Sequence, residues 1–273
     1  MILSIGSTKN MQQLLQELHS TVDWHGIILV NCQCSLLYDD FVFEEAMRLL
    51  PLDQQAQILH KKLFPDRCRA LCNKLLQVVG CSIASGIHPN RLKFSQGQYG
   101  KPDVEDQNVT FSMSNGENFV GQYLHRSNTS VEVGLDLSST NDYVGDEELL
   151  YFKDVFSDQE LECLLKCDHS QRHAMFAYLW SLKECYTKFT GLGLNSDLIN
   201  INLRKLNLPQ PSLSIIRSIK GHIMLFYSKW ITETEIVTVC HEEGVSKCDI
   251  PKTYYLTFSE LLSLIQVSHG QKI

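Results

Sequence analysis

Glu184 and Lys188 place a carboxylate and an ammonium one helical turn apart, within Trp180-Ser181-Leu182-Lys183-Glu184-Cys185-Tyr186-Thr187-Lys188. Helical residues four apart stack on one face, so both charges can point into one cleft. There the acid can hold a divalent metal and the cation can grip a phosphate. Gly191 and Gly193 stop the helix just beyond. Pairs of this kind are also common on solvated helices, so the pair takes its meaning from three other segments.

The first is Tyr99-Gly100-Lys101-Pro102, a tight turn that presents a lysine. The second is Phe111-Ser112-Met113-Ser114-Asn115-Gly116, where an apolar strand breaks into small polar residues. Exposed N–H groups and hydroxyls at a strand end bind phosphate, or they simply make a turn. The third is Val133-Gly134-Leu135-Asp136-Leu137, an apolar strand with one carboxylate. Burying that carboxylate is costly, so Asp136 needs a hydrogen-bond network, a cation or a strand-end position. Gly134 lets another backbone or a ligand come close. Two carboxylates from different elements, neighbouring lysines and a hydroxyl-rich turn describe a magnesium–pyrophosphate site, because magnesium takes few protein carboxylates and fills its shell with water and phosphate.

The elements that must position these groups follow from periodicity and punctuation. Residues 26–30 read as a buried strand, and Asp39-Asp40 caps a helix that Pro51 ends. Further helices are expected at 52–63 and after Pro65-Asp66, the latter with Leu71, Leu75, Val78 and Val79 on its apolar face; 80–89 reads as a turn-rich connection. Short strands at 92–94 and 109–113 flank a polar loop, and 119–124 is the return strand. The polar stretch 125–130 marks a boundary. Beyond it come a strand at 131–137, helices at 146–156, 158–167 and 171–189, strands at 213–219, 222–226 and 236–240, and a closing helix at 258–265. The mixture lacks strict alternation and reads as α+β: two similar-sized lobes in a pseudo-dimer, 1–127 and 128–273, each with helices on a mostly antiparallel sheet and a ligand cleft between them.

Composition narrows the class. With 273 residues and 44% hydrophobic content the chain can bury a sizeable core. Its 24 basic against 31 acidic side chains give a charge of −7, so a general nucleic-acid binder is not expected and any anion site must be a local basic patch. Residues 1–6 carry no signal-peptide pattern, and the longest apolar run, at 27–30, is too short for a bilayer; neither membrane nor export is expected. Ten cysteines suit a reducing compartment. Cys163, Cys167, Asp168 and His169 lack a second half with zinc-like spacing, so these thiols read as buried and free.

Taken in order, the four segments resemble the Sfp-type 4′-phosphopantetheinyl transferases. That family carries a Gly-Lys-Pro turn, a Phe-x-x-Ser-His strand end, a (Val/Ile)-Gly-(Ile/Val)-Asp strand and a Trp-(Ser/Ala)-x-Lys-Glu-(Ser/Ala)-x-x-Lys helix. The likeness spans residues 66–193 and includes Phe156-Ser157-x-x-Glu160. The segments 43–51 and 61–68 look most like the fungal branch, which activates aminoadipate reductase in lysine biosynthesis. The resemblance implies transfer of the phosphopantetheine arm of coenzyme A to a serine of a carrier-protein domain of a reductase or synthase, by a cytoplasmic monomer. It implies Asp136 and Glu184 as magnesium ligands with Ser138 as a third, Lys101 and Lys188 on phosphate oxygens, and Glu184 as the base, directly or through water. Lys183 is expected to face away from Glu184, as a solvated charge or an inter-element ion pair. Trp180, Tyr186 and Phe189 are expected in the core.

Three positions depart from the family pattern. Ser138 stands where members often carry a second acid, and Asn115 replaces the histidine after Ser114. Gln57 replaces a basic residue nine positions before Asp66, which leaves Lys61, Lys62 or Arg69 to hold the 3′-phosphate of coenzyme A. These departures are the support for an alternative, a coenzyme A-binding or carrier-docking module that has lost turnover.

Overall fold

A computed structural model describes residues 9–105, 108–129, 131–143, 145–244 and 250–268. Residues 1–6, used in reading for a signal peptide, and Ser130 of the boundary stretch lie outside the described residues. Two compact units emerge: Met1–Ser95, Asp103–Ser130 and Lys252–Ile273 form one, and Gln96–Pro102 with Val131–Pro251 the other. The sequence reading placed 252–273 with the second lobe. These residues belong to the first unit because their strand pairs with that unit's sheet.

In the first unit, β1 (Trp24–Asn31) is buried continuously from Trp24 to Val30, the pattern of a strand covered on both faces. β5 (Phe119–Arg126) lies antiparallel to it, and β4 (Val109–Asn115) is antiparallel to β5. The remaining edge is β10 (Lys252–Leu256), parallel to β1 with Gly26 opposite Lys252. Helices α1 (Lys9–Ser20), α2 (Asp40–Met47), α3 (Leu52–Leu59), α4 (Phe64–Ser85) and α7 (Phe258–Ser268) complete the unit. The Asp39 carboxylate accepts from the Val42 N–H and caps α2.

α4 overturns the turn-rich connection expected at 80–89: it runs through Gly80 and ends at Gly86, in the left-handed region. Gly80 is there for packing. A Cβ at that position would lie 1.8 Å from Oε1 of the fully buried Gln122 on β5. The α1 helix and β10 were not read from the sequence, and the stretch expected to be helical at 146–156 is a 3-10 run over Asp146–Phe152.

The second unit is built on β6 (Gly134–Ser139), β7 (Ser212–Ile219), β8 (His222–Trp230) and β9 (Glu235–Glu242), an all-antiparallel sheet in the order β6-β9-β8-β7. α5 (Asp158–Lys166) and the long α6 (Arg172–Thr190) pack with it. The face of α6 that bears Phe176, Leu179, Leu182 and Tyr186 is buried in one apolar core with Phe226, Ile236 and Cys240. β6 and α6 are the two elements that carry the charged residues singled out above. Among the described residues, no helix is long and apolar enough to cross a membrane.

Candidate active site

β6 and α6 approach closely because Gly134 lacks a side chain. A Cβ there would sit 2.1 Å from the Cys185 carbonyl oxygen and 2.9 Å from the Phe189 nitrogen. This contact lays the last two turns of α6 along β6, and Asp136 meets Lys188. The Lys188 ammonium is 2.7 Å from Asp136 Oδ1, and the Ser138 hydroxyl donates to Asp136 Oδ2 at 2.6 Å. Asp136 is only 5% exposed, so the cation and network that its burial requires are both present.

Glu184 differs. Its Oε1 is buried, and among the described residues no hydrogen bond reaches it. Burial pushes its carboxyl above the usual carboxylate range, and the Asp136 charge adds to that push; Lys188 pulls the other way. The Lys188 ammonium pairs with Asp136 and acts on Glu184 only as a nearby charge. The two carboxylates gain by taking a further positive charge, and their hard oxygens, with the Ser138 hydroxyl beside them, are the donors that magnesium accepts. Among the described residues no group of three or more histidine, cysteine, aspartate and glutamate side chains gathers to hold a metal, so the donor set here is two acids and a hydroxyl. Cys185, next in sequence, has its thiol pushed well up by burial and by hydrogen bonding with Cys240, which keeps it protonated and out of nucleophilic chemistry.

Of the two roles expected for Lys183, a solvated charge or an inter-element ion pair, the structure shows the ion pair. Lys183 is fully buried and paired at 2.8 Å with Glu160 of α5, itself fully buried. The ammonium also donates to the carbonyls of Leu198 and Ile201, at 2.8 and 3.0 Å. Glu160 accepts in turn from the Ser157 and Leu203 N–H groups. All three ammonium donors are spent, and both carboxylate oxygens are used. The network ties α5, α6 and the segment 198–203 together; the inter-element ion pair was expected of Lys183, but its partner Glu160 was not named. Its signal was Phe156-Ser157-x-x-Glu160, a capping-box pattern of which the structure shows the half in which Glu160 accepts from the Ser157 N–H.

Lys101 comes from the tip of a hairpin formed by β2 (Phe94–Gln96) and β3 (Pro102–Val104). Gly100, at φ 84°, makes the turn. The Lys101 ammonium donates to Glu132 Oε2 at 2.5 Å, to the Phe189 carbonyl at 3.1 Å and to the Val133 carbonyl at 3.3 Å.

The other residues expected to touch coenzyme A lie in the first unit. Arg69 on α4 donates to the Gly116 carbonyl at 3.1 Å, and Asn115 accepts from Asn73 of α4 at 2.7 Å. Arg69, Asn73 and Asn115 thus gather where α4 meets the end of β4. Ser114 is buried within β4. Lys61 and Lys62 are exposed between α3 and α4. Tyr186 and Phe189 are buried, and Trp180 packs partly buried against the same core. Cys163 and Cys167, read as buried thiols, are half-buried instead. Cys163 lies on α5 and Cys167 caps its C-terminal end.

Comparison with known proteins agrees with this geometry. The pattern of the 4′-phosphopantetheinyl transferase superfamily matches residues 132–240, the span that holds Asp136, Glu184 and Lys188. The L-aminoadipate-semialdehyde dehydrogenase-phosphopantetheinyl transferase of Saccharomyces cerevisiae is 42% identical over 90% of this chain and 93% of its own. The protein of that name from Candida glabrata is 38% identical over 80% of this chain and 84% of its own. The 4′-phosphopantetheinyl transferase Sfp of Bacillus subtilis is 30% identical over 41% of this chain and 47% of its own. This chain belongs to the 4′-phosphopantetheinyl transferase superfamily. It is an enzyme of that class.

Proposed function

We propose that the chain moves the 4′-phosphopantetheine arm of coenzyme A onto a serine of a carrier domain, and that this carrier belongs to the aminoadipate reductase of lysine biosynthesis. The observation that carries the reaction is the cluster of Asp136, Ser138, Glu184 and Lys188, with one buried Glu184 oxygen that no hydrogen bond reaches among the described residues. The carrier rests on relatives named for the aminoadipate-semialdehyde dehydrogenase, with up to 42% identity over nearly the whole chain.

In this reading the carrier serine Oγ forms a bond to the β-phosphorus of coenzyme A, and the bond from that phosphorus to the bridging oxygen breaks. Adenosine 3′,5′-bisphosphate leaves with the electron pair. Asp136 and Glu184 would hold magnesium, with the Ser138 hydroxyl as a third donor; both acids are hard oxygen ligands and Glu184 has an oxygen to spare. Bound there, magnesium supplies charge neutralisation for the pyrophosphate. Lys188 moves its ammonium from Asp136 to a phosphate oxygen and stabilises the charge that builds on it. Glu184 takes the serine proton, directly or through water. Arg69, Lys61, Lys62, Ser114 and Asn115 are assigned to the phosphates of coenzyme A on the family pattern alone.

The test is incubation with fluorescent coenzyme A, magnesium and the apo carrier domain. Covalent label on the carrier serine is the expected result. Binding of coenzyme A without label would instead favour the module without turnover, for which Ser138, Asn115 and Gln57 are the support. Neither binding nor label would end both readings.

A further inference from the structure

Lys101 entered as a phosphate ligand, and its surroundings assign it other work. The end of a helix leaves its last carbonyls without partners and gathers partial negative charge there. α6 ends at Thr190 with Gly191 in the left-handed region, and the Lys101 ammonium donates to the Phe189 carbonyl in that last turn. Its other two donors go to Val133 O and Glu132 Oε2, on the residues leading into β6. An ammonium has three N–H donors, and here all three are taken.

We infer that Lys101 is a positioning residue. It staples the end of α6 to the start of β6 and so fixes the spacing at which Lys188 and Glu184 face Asp136. The placement is specific: Phe189 adjoins Lys188 in sequence, and Val133 lies three residues before Asp136. Gly134, between the stapled carbonyl and Asp136, is a point of close approach of the two elements, where a Cβ would sit 2.1 Å from the Cys185 carbonyl oxygen. The methylene stem of Lys101 also packs on Gly191, with its Cδ 3.4 Å from where a Cβ would stand there. Glycine thus lets β6 and α6 touch, and lysine stops them sliding.

The catalytic half of this inference rests on the transferase reading, and the test keeps the two apart. In the protein without substrates, the Lys101 ammonium should give a slowly exchanging ¹H–¹⁵N resonance that stays in place when inorganic pyrophosphate is added. Replacing the ammonium in Lys101→Gln should speed amide exchange at residues 188–191 at least tenfold, again with no substrate present. In the labelling assay the same variant should lose about tenfold in kcat while KM for coenzyme A stays within twofold, and Lys101→Arg should recover most of that kcat. A resonance that shifts on adding pyrophosphate, or a rise in KM with kcat and amide exchange unchanged, would make Lys101 a phosphate contact and overturn the inference. Failure of the wild-type protein to label any carrier would sink the transferase reading while leaving the resonance and exchange results to decide the staple. If Lys101→Gln does not fold, the wild-type resonance decides alone: fast exchange or movement with pyrophosphate refutes the staple, and a slow, unmoved signal supports it.

Discussion

Lys188 Nζ lies 2.7 Å from Asp136 Oδ1, which joins the last turn of α6 to the edge strand of its sheet. This pairing accounts for a carboxylate on a strand whose every residue is buried. It also holds the one lysine of the cluster beside the acids, so a phosphate arriving there meets an ammonium already in place.

That preorganisation sets the first expectation. Lys188→Ala removes the charge that would stabilise the phosphate in the transition state, an effect of about 10²–10³ in kcat for one lost electrostatic donor. Lys188→Arg keeps the charge but changes its shape and reach, and should lose less. Steady-state kinetics with purified carrier would decide the matter; a drop of less than fivefold in Lys188→Ala would remove Lys188 from the chemistry.

Glu184 gives a dependence on pH with a definite sign. Its carboxyl is held above the ordinary value in the folded protein, first by burial and then by Asp136. An acid of this kind binds its proton more tightly folded than unfolded, so stability falls as pH rises from the unfolded value through the folded one. The Glu184→Gln variant should lose that fall. Without divalent metal at pH 7.5 it should melt higher than wild type, even as transfer is lost. Magnesium needs the ionised acid, so its stabilisation of the wild type should be larger at pH 7.5 than at pH 5. Thermal melts at the two pH values, with and without the metal, would show it. Equal magnesium effects in wild type and Glu184→Gln would take Glu184 out of the metal site.

The buried pair of Lys183 and Glu160 should govern stability. Burial pulls the Lys183 ammonium below its ordinary value, and the adjacent Glu160 carboxylate pushes back. Lys183→Met leaves Glu160 as an uncompensated charge in an apolar interior, a loss of about 3–5 kcal/mol. Adding Glu160→Gln removes that charge while its amide oxygen can still accept from the Ser157 or Leu203 N–H, so the double variant should regain part of the loss. Denaturant unfolding of the wild type, the single and the double variants measures both effects. If Lys183→Met cost under about 1 kcal/mol, the pair would not tie α5 to α6.

What could be read from the sequence followed how local each constraint was. Asp136 declared itself as one charge in an apolar strand, and Glu184 with Lys188 as a spacing of one turn; local pattern is enough for both. The ion pair of Lys183 could be anticipated but not its partner, because Glu160 lies 23 positions away on another helix and the ammonium's other acceptors are backbone carbonyls. Gly80 looked like a helix stop for the same reason. Only the fold brings Gln122 against it, and an open face on α4 then serves better than a methyl group. β10 was missed because a five-residue edge strand, whose pairing lies with β1 more than two hundred residues earlier, has no periodic signal of its own. Lys101 was seen as a lysine on a turn, which it is, but nothing local to Gly100 and Pro102 tells that two carbonyls and a carboxylate await its ammonium.

Gly134 offers the last test, since its role is purely one of distance. A methyl group there would meet the Cys185 carbonyl at 2.1 Å and the Phe189 nitrogen at 2.9 Å. Both are backbone atoms of α6, so no change of rotamer can make room; the helix must move off the strand or the strand must bend. Overpacking of this sort costs about 1–3 kcal/mol or more. It should also lengthen the separation between Asp136 and Lys188, so that kcat falls out of proportion to stability. The Cys240 thiol, 2.9 Å from the same position, is a further obstacle but a side-chain one, and Cys240→Ala should not rescue Gly134→Ala. Activity and melting temperature of Gly134→Ala, with and without Cys240→Ala, separate the two obstacles. Full rescue by the second substitution would show that the thiol, and not the helix backbone, sets the approach of α6 to β6.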